Sequence, residues 1–239
     1  MGKIGKDTRM KRQLAPSFWE IGRKNKRFAL ATSPGTHATA KAYPLGIFLR
    51  DILKVVNTMR EAKYIVTSGD VRVDGVLRKN INFPVGLMDV IEISTIDKIY
   101  RAVPREGLIV KPIEIPEEEK NLKLCKVTRK LTSKNTKLQY GLHDGRTLID
   151  EQKMNVHDSC LITVPEQKLT KTVKLEKGSI ALVISGDNAG IQGKVEEIRE
   201  GTFVLPKRVL VTLEEREVEL PIGMVIAVGI DKPLIKIQG

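Results

Sequence analysis

Apolar residues after Pro44 recur at the spacing of a helix that buries one face. The stripe occupies positions i, i+3, i+4, i+7, i+8 and i+11, and its members are Leu45, Phe48, Leu49, Ile52, Leu53 and Val56. Thr58 and Glu61 then form the capping-box pattern that begins a second helix, because each side chain can bond the other residue's backbone amide. Gly69 is suited to end that helix, since glycine adopts positive φ without strain. The sequence therefore predicts two consecutive short helices.

The pattern changes to strand-like alternation directly after Gly69. Residues 71–73 alternate apolar and polar side chains, and Asp74-Gly75 is a residue pair typical of two-residue hairpin turns. Val76 begins the return strand, and residues 89–93 predict another strand. The predicted order of elements is therefore helix, helix, hairpin and strand.

Residues 106–239 predict many short strands and little helix. Glycine and proline separate apolar stretches at regular spacing, which is typical of a small β-barrel. The acidic run at residues 117–119 predicts a solvated turn or a helix start. We expect strands at residues 122–127, 161–164, 180–185, 194–198, 203–205, 208–213 and 218–220, with a last one near 224–228.

The chain is strongly basic, and the excess lies at one end. Its 239 residues carry 41 Lys and Arg against 29 Asp and Glu, a net charge of +12. Residues 1–41 carry ten against two, whereas residues 106–239 are nearly neutral. This balance indicates a polyanionic partner, either a nucleic acid or an anionic membrane surface. The longest nearly apolar stretch, residues 220–230, is far shorter than the ~20 residues of a membrane span, so we expect no span.

Residues 1–41 contain too few apolar residues, with too little periodicity, to fold alone. One interpretation is an arm that becomes ordered on a phosphate backbone; the alternative is a solvated tail or a transit peptide. Phe18 and Trp19 favour the arm, because the only tryptophan of the chain would serve little purpose in an unstructured leader. Such a ring can stack on a base or dock against the body of the protein.

A second basic surface is predicted on the helix and hairpin. Arg60 and Lys63 share one helix face with Thr67, and three further basic residues follow on or just after the hairpin: Arg72, Arg78 and Lys79. A helix and a hairpin that meet at a tight turn could form a concave basic surface suited to irregular RNA. A charged face is also what any solvated helix presents.

Residues 58–80 and 84–93 resemble the RNA-binding domain named after bacterial small-subunit ribosomal protein four. The matching segments are Arg60-Glu61-Ala62, Ser68-Gly69-Asp70-Val71, Val73-Asp74-Gly75, and Gly86 with Asp89-Val90-Ile91. The resemblance implies that Arg60, Lys63, Arg72, Arg78 and Lys79 contact RNA.

Residues 177–195 resemble the KOW motif, a strand–loop–strand segment of small barrels in ribosomal proteins and transcription elongation factors. The loop residues that carry the resemblance are Gly186, Asn188, Gly190, Gly193 and Lys194. Because Lys194 is the only basic residue of this loop, RNA binding, protein docking and a purely structural role all stay open.

The whole order of segments resembles one family, the archaeal and eukaryotic small-subunit ribosomal proteins called S four-e. Further matches are Lys11-Arg12 with Pro16 and Trp19, Pro44-Leu45 with residues 47–50, residues 83–90, residues 123–127, and His143-Asp144 with Arg146-Thr147. Arg9 and Gln13 depart from the family pattern, where a histidine and an aliphatic residue are usual. The short length is closer to that of the archaeal members.

The resemblance implies a multidomain α+β chain. We expect a basic N-terminal arm at residues 1–42, a small helix-helix-hairpin RNA-binding domain at 43–105, a β-rich central domain at 106–170, and an SH3-like KOW barrel at 171–239. The RNA-contacting residues are then Lys3, Lys6, Arg9, Lys11, Arg12, Trp19, Arg23, Lys24, Lys26, Arg27, Lys41, Arg50, Arg60, Lys63, Arg72, Arg78 and Lys79.

The implied function is structural. The resemblance predicts a cytoplasmic constituent of the small ribosomal subunit that binds ribosomal RNA and neighbouring ribosomal proteins and stabilises local RNA folding. Two alternatives stay open. One is an RNA-modifying enzyme, since similar modules are appended to pseudouridine synthases, and the other is a free transcription or translation factor that uses the KOW segment.

Candidate catalytic and metal-binding residues are scarce. The three histidines share no ligand spacing with Cys125 and Cys160, and these cysteines lie in apolar, strand-like surroundings typical of a buried core. No G-x-S-x-G elbow and no nucleotide-binding loop is present. We therefore expect no catalysis, metal, cofactor or small-molecule substrate.

Overall fold

The fold is mostly β and consists of several sheets that follow one another along the chain. A computed structural model describes residues 8–22, 24, 26–106, 108–132, 138–203, 205–213 and 216–237, and the expected RNA contacts Lys3, Lys6 and Arg23 lie outside them. The strands form three five-stranded antiparallel sheets and two two-stranded ones. Within these described ranges no helix has both the length and the apolar character needed to span a bilayer.

The basic arm packs against the body of the protein. Strands β1 (Arg9–Lys11) and β2 (Phe28–Leu30) pair in antiparallel register. Trp19 between them is only 1% exposed, and its indole N–H donates a 3.0 Å hydrogen bond to the carbonyl of Ala42. The indole also stacks with Tyr43 at a centroid distance of 6.5 Å. Burial of this large side chain supplies the apolar area that the arm itself lacks.

The first predicted helix is shorter than its apolar stripe. It comprises α1 (Leu45–Ile47) and a π-helical turn (Phe48–Ile52). Lys54 ends it with a left-handed φ of 56°, although lysine carries a Cβ that disfavours this conformation. Val56 lies past the end of the helix but is still buried. The apolar stripe therefore predicts which residues are buried, although the helix ends before the stripe does.

The second helix, α2 (Met59–Ser68), has the predicted ends. Thr58 Oγ1 accepts a 3.2 Å hydrogen bond from the amide of Glu61, whose carboxylate accepts one from the Thr58 amide, also at 3.2 Å. Gly69 follows with φ 97° and ends the helix. These local contacts satisfy backbone groups that a helix terminus otherwise leaves unbonded.

The first large sheet carries the hairpin that follows α2. Asp74 and Gly75 form its turn with positive φ values of 52° and 72°, as a type I′ turn requires. The sheet continues past residue 105, the expected end of the RNA-binding domain, because the next strand pairs with the preceding one. Its strands, in spatial order, are β5 (Val76–Leu77), β4 (Val71–Val73), β7 (Val90–Ile93), β8 (Lys98–Arg105) and β9 (Leu108–Glu114). Beside it β3 (Tyr43–Pro44) pairs with β6 (Pro84–Val85).

The central sheet is built on one long strand. Cys125 and Cys160 are direct partners across two of its strands, and both are buried, as the sequence predicted. Burial raises the pKa of the Cys160 thiol to about 12, so this thiol is protonated and unreactive. The strands, in spatial order, are β12 (Thr147–Asp150), β11 (Leu138–Leu142), β10 (Leu122–Thr132), β13 (Ser159–Thr163) and β14 (Lys168–Val173).

The C-terminal sheet contains five strands with a valine-rich core. The predicted strand at residues 203–205 is wrong for its described members: Phe203 and Leu205 lie in no strand, and Val204 is outside the described residues. Phe203 is fully exposed, so this apolar segment has no core to pack on. The strands, in spatial order, are β18 (Arg216–Pro221), β17 (Arg208–Leu213), β16 (Gln192–Arg199), β15 (Ile180–Val183) and β19 (Val225–Gly229).

Short 3₁₀ turns connect several of these elements. They lie at Arg12–Leu14, Thr39–Lys41, Glu117–Glu119 and Ile222–Met224. The acidic run therefore forms a turn, which is one of the two conformations that the sequence predicted.

Candidate RNA-binding surface and its supporting interfaces

A basic face is formed by α2 and the hairpin after it. The helix buries Ala62 and Val66 completely, which leaves its opposite side to solvent. The cations of this side and of the hairpin are named here the helix–hairpin face, and they are Arg60, Lys63, Arg72, Arg78 and Lys79. All except the half-buried Arg78 are exposed, and none forms an ion pair with another described residue.

Arg78 is held in a defined orientation. Its guanidinium carbon lies 4.2 Å from the ring centroid of Phe83, a cation–π distance. Burial is the main cause that lowers the pKa of Arg78 below its ordinary value; the charge of Asp74 opposes this shift, and the charge of Arg146 adds to it. Arg78, Lys79 and Arg146 line a groove of about 750 Å³ together with residues 33–36. The stacked, unpaired guanidinium is therefore available to an anion in this groove.

The folded arm presents a second set of cations. These residues are named here the arm face: Arg9, Lys11, Lys24, Lys26, Arg27 and Lys41. Each is exposed and lacks an ion pair within the part of the chain that the structure describes. Six unpaired positive charges on one folded segment favour binding of a polyanion.

Three of the expected RNA contacts have partners inside the protein. Trp19 is buried, so it takes the docking role and is unavailable to stack on a base. The guanidinium of Arg12 donates a 2.8 Å hydrogen bond to the carbonyl of Ile21 and so shapes the arm. Arg50 is in a two-bond ion pair with Asp51, at 3.0 and 2.7 Å. The bond of Arg12 to a backbone carbonyl nine residues away leaves no local pattern, whereas Asp51 directly after Arg50 is a signal that the sequence does carry.

A buried ammonium joins the central sheet to the first sheet. Lys123 on β10 is completely buried, and its Nζ lies 2.7 Å from Asp74, 2.5 Å from Asp89 and 3.2 Å from Asp144. Three carboxylates outweigh the effect of burial and raise the pKa of Lys123 well above its ordinary value, so it is charged. Asp74 and Asp89 belong to the first sheet region, whereas Lys123 and Asp144 belong to the central domain.

Two further groups, Arg146 and His37, join Lys123 and its three carboxylates. These six residues are named here the interdomain charge cluster. Arg146 donates to Asp74 at 2.6 Å, and its Nε lies 3.3 Å from Asp144. His37 from the arm contacts both carboxylate oxygens of Asp89, at 3.0 and 3.1 Å. Burial alone would raise the pKa of Asp89, but the charges of His37 and Lys123 together hold it below its ordinary value. The cluster therefore connects the arm, the first sheet and the central sheet.

One group of metal-ligand side chains lies beside this cluster but is already bonded. The ligand atoms of Cys125, His143 and Asp144 lie within 4.8 Å of one another. However, His143 accepts the Lys126 amide at Nδ1 and bonds the Leu87 carbonyl through Nε2, each at 3.2 Å. Burial, followed by the charge of Lys123, lowers the pKa of His143 to about 4. The arrangement is a neutral histidine that bridges two backbones.

A second buried lysine attaches the C-terminal sheet. Lys126, three residues after Lys123, donates to the carbonyls of Ile222, Gly223 and Val225 at 2.7, 3.1 and 2.5 Å. Burial, and then the charge of Lys41, lowers the pKa of Lys126 to about 8, which still leaves it protonated at neutral pH. All three hydrogens of the ammonium thus have acceptors near β19 and the turn before it.

A buried arginine holds the last described segment. Arg101 on β8 is fully buried and lies 2.5 Å from the carboxylate of Glu119. It also donates to the carbonyls of Leu122 and Lys236, each at 3.0 Å. This one guanidinium therefore connects the first sheet, to which Arg101 belongs, with the linker, the start of the central sheet and the C-terminal segment.

The loop that resembles the KOW motif docks on the same chain. Gly190 has φ 89°, and a Cβ there would lie 2.6 Å from the carbonyl oxygen of Pro104. Ala189 beside it is buried, and Asn188 accepts a 2.6 Å hydrogen bond from Arg216. Gly186 lies in the turn, whereas Gly193 and the exposed Lys194 lie on β16. These contacts lie within the chain and fit a structural role, while RNA binding and docking to another protein stay predictions for this loop.

Sequence patterns miss the structural roles of the buried cations and their partners. The sequence marks Lys123, Lys126 and Asp144 only as matches to a family pattern. A signal does exist: Lys123 and Lys126 stand within the apolar strand at residues 122–127, where a solvated lysine is not expected. Their partners come from remote segments and cannot be found from local patterns.

The fold and surface define a β-rich, multidomain chain with unpaired cations on its outside and paired ions in its interior. Residues 5–40 match the RS4NT (NUC023) domain, and residues 96–169 match the Ribosomal family S4e. The chain is 35% identical to the small ribosomal subunit protein eS4 of Desulfurococcus amylolyticus, over 99% of this chain and 98% of that protein. It is 37% identical to the eS4 protein of Methanosphaera stadtmanae, over 100% and 99% respectively.

A solved structure agrees with these matches. The crystal structure of the 30S ribosomal protein S4e from Thermoplasma acidophilum superposes with a TM-score of 0.70 at 30% identity, covering 80% of this chain and 96% of that chain. The chain belongs to the S4e family of ribosomal proteins. The resemblance inferred from the sequence is thereby confirmed, and because this family is structural, the chain is not an enzyme.

Proposed function

We propose that this protein binds small-subunit ribosomal RNA through the arm face and the helix–hairpin face, and that it stabilises the local fold of that RNA in the cytoplasm. Neighbouring ribosomal proteins are its other partners. The mechanism is release of counterions from phosphates together with a match of shape, and it involves no chemical step.

The observation that carries the proposal is the clustering of unpaired cations, six on the arm face and five on the helix–hairpin face. Buried cations such as Lys123 and Arg101 are neutralised by carboxylates. The cations of the arm face and the helix–hairpin face have no carboxylate partner among the described residues. Unpaired surface cations raise the local concentration of a polyanion and lose little on binding it. In the domain order expected from the sequence, the arm directly precedes the RNA-binding domain. We therefore assign both faces the same role, which is to hold RNA beside the first sheet.

Deletion of the arm is a poor test of its role in RNA binding, because the arm is part of the folded core. Deletion of residues 1–41 would remove Trp19 from the core and His37 from Asp89, so a loss of binding could reflect unfolding. Substitution of exposed cations avoids this difficulty. One variant replaces Lys11, Lys24, Lys26 and Arg27 by Gln, and another replaces Arg60, Lys63, Arg72 and Lys79 by Gln.

The measurement is the affinity of the full chain for a transcript of small-subunit ribosomal RNA over a range of salt concentrations. The slope of log K against log salt is negative, and each four-residue variant should make it less steep by about 3, because each lost phosphate contact removes roughly 0.7 to 0.9. The matched control replaces four exposed cations away from both faces, Lys171, Lys177, Lys194 and Lys232, and it should leave the slope nearly unchanged.

Equal slopes for all three variants would refute the two faces as phosphate contacts. A separate measurement addresses the alternative of a free factor: small subunits washed at high salt should retain this protein. Its complete release into the soluble fraction would favour the factor.

A further inference from the structure

A groove of about 680 Å³ lies between the arm and the first helix. Its floor is apolar and comes from both segments, with Ile21 and Leu30 on the arm side and Ile47, Val56 and Met59 on the other. This volume is within the range of sites that take a small organic group. The groove exists only because the arm folds onto the body.

The rim of the groove is cationic. Arg9, Lys26 and Lys54 line it and form no ion pair with any residue that the structure describes, while Arg50 is neutralised by Asp51. Glu20 is the remaining acidic group at the rim. An apolar side chain of a partner protein would leave the three cations unneutralised, whereas a group that combines an apolar ring with phosphates would satisfy both floor and rim.

An exposed aromatic ring stands at the same groove. Phe28 on β2 is 49% exposed, and the guanidinium of Arg27 lies 5.6 Å from its ring centroid. Lys11 is its direct partner across the strand pair. Aromatic rings flanked by arginine and lysine are the platforms on which unstacked bases are bound.

Lys54 adds an independent indication. Its φ of 56° is left-handed, a conformation in which glycine would be free of strain. Lys54 therefore lies at the rim of the groove in a backbone conformation that glycine would adopt at lower energy. Strain of this kind is concentrated at sites of function.

We infer that this groove binds one unstacked nucleotide of the RNA, with the base on the apolar floor and against Phe28, and the flanking phosphates at Arg9, Lys26 and Lys54. The inference rests on the proposed RNA binding and adds the kind of RNA that is bound at the arm: a single-stranded or bulged nucleotide rather than a continuous duplex.

The first test is Phe28→Ala in the full chain, with binding to the small-subunit RNA transcript measured over a range of salt. Loss of one stacked base should weaken binding by about 5- to 150-fold while the salt slope stays the same, because no charge is removed. Phe28→Tyr keeps the ring and should bind like the parent. Fluorescence of the buried Trp19 reports whether each variant keeps the arm folded.

The second test is Lys54→Gly, which removes a cation and relieves the backbone. The variant should fold at least as stably as the parent, yet the magnitude of its negative salt slope should decrease by roughly 0.7 to 0.9. Since folding is not impaired, a change in slope cannot be attributed to a damaged groove.

A photoreactive phenylalanine analogue at position 28 identifies the occupant in reconstituted small subunits. Crosslinking to one unpaired nucleotide supports the inference, whereas crosslinking to a duplex or to another protein overturns it. Parent-like affinity of Phe28→Ala also overturns it and leaves the proposed function intact. Failure of the parent itself to bind the transcript would instead refute the proposed function.

Discussion

Replacement of Lys123 by Met tests the interdomain charge cluster. The substitution keeps a long apolar stem but removes the ammonium that contacts Asp74, Asp89 and Asp144 at 2.7, 2.5 and 3.2 Å. Among the described residues, the three buried carboxylates then share Arg146 and His37 as their remaining basic partners. The cluster connects three segments of the chain, so its loss should act on how those segments hold together.

The size of the effect follows from burial. Removal of one partner from a buried ion pair leaves an uncompensated charge and costs about 3 to 5 kcal/mol. Domains of ordinary stability unfold with about 5 to 15 kcal/mol, so the variant should lose a large part of its margin. Lys98→Met is the matched control, because Lys98 pairs with Glu114 at 3.0 Å on the exposed surface, where water screens the interaction.

The assay is urea unfolding followed by two probes. Fluorescence of Trp19 reports on the arm and its core, and far-ultraviolet circular dichroism reports on all the sheets. In the parent the two transitions should coincide. In Lys123→Met they should separate, because the arm and first sheet are no longer tied to the central sheet, and the midpoints should fall.

The pH dependence of the stability difference between parent and variant provides a result that would refute this reasoning. Without Lys123 the buried carboxylates have raised pKa values, so protonation at mildly acidic pH should remove part of their repulsion. The stability difference between parent and variant should therefore shrink as the pH falls from 7 toward 5. A variant as stable as the parent at pH 7, or a difference that grows toward pH 5, would contradict this reasoning.

Two other predictions concern the histidine bridge and the glycine loop. His143 has a pKa of about 4 when folded against an ordinary 6.5, so the unfolded chain binds a proton first and the parent should lose roughly 3 kcal/mol between pH 6.5 and 4. His143→Gln should show a shallower decline over that range in urea unfolding, and an equal decline would argue against a neutral buried histidine. Gly190→Ala should destabilise the protein by about 2 to 4 kcal/mol, because a new Cβ meets the Pro104 carbonyl at 2.6 Å and φ is 89°. Gly186→Ala has a similar φ but open space around its Cβ, so thermal unfolding of this control isolates the backbone strain; equal losses would mean that the loop does not depend on its contact with Pro104.

Local sequence patterns predicted the elements whose causes are local. The capping box at Thr58 and Glu61 and the turn at Asp74-Gly75 are formed by residues within four positions of each other. Conversely, the apolar segment at residues 203–205 carries no sign of whether a core lies opposite it, and Phe203 is fully exposed.

The candidate site was predicted in its exposed part only. Charge density indicated the arm face and the helix–hairpin face, since clustered cations are visible in the sequence. The internal role of Trp19 depends on a contact with Ala42, 23 residues away, whereas the partner of Arg50 is the adjacent Asp51 and could have been read from the sequence. The buried role of Lys123 could not be predicted, because two of its three carboxylate partners lie 49 and 34 residues away in the sequence.

The central claim is that the helix–hairpin face lies against ribosomal RNA. Cys125 and Cys160 are fully buried, and burial raises the pKa of both thiols, so a single added cysteine can be labelled selectively. Lys63→Cys carrying a tethered hydroxyl-radical source should cleave small-subunit RNA at a few clustered positions in reconstituted subunits. Particles that have incorporated the labelled protein but show no cleavage from position 63 would contradict the account.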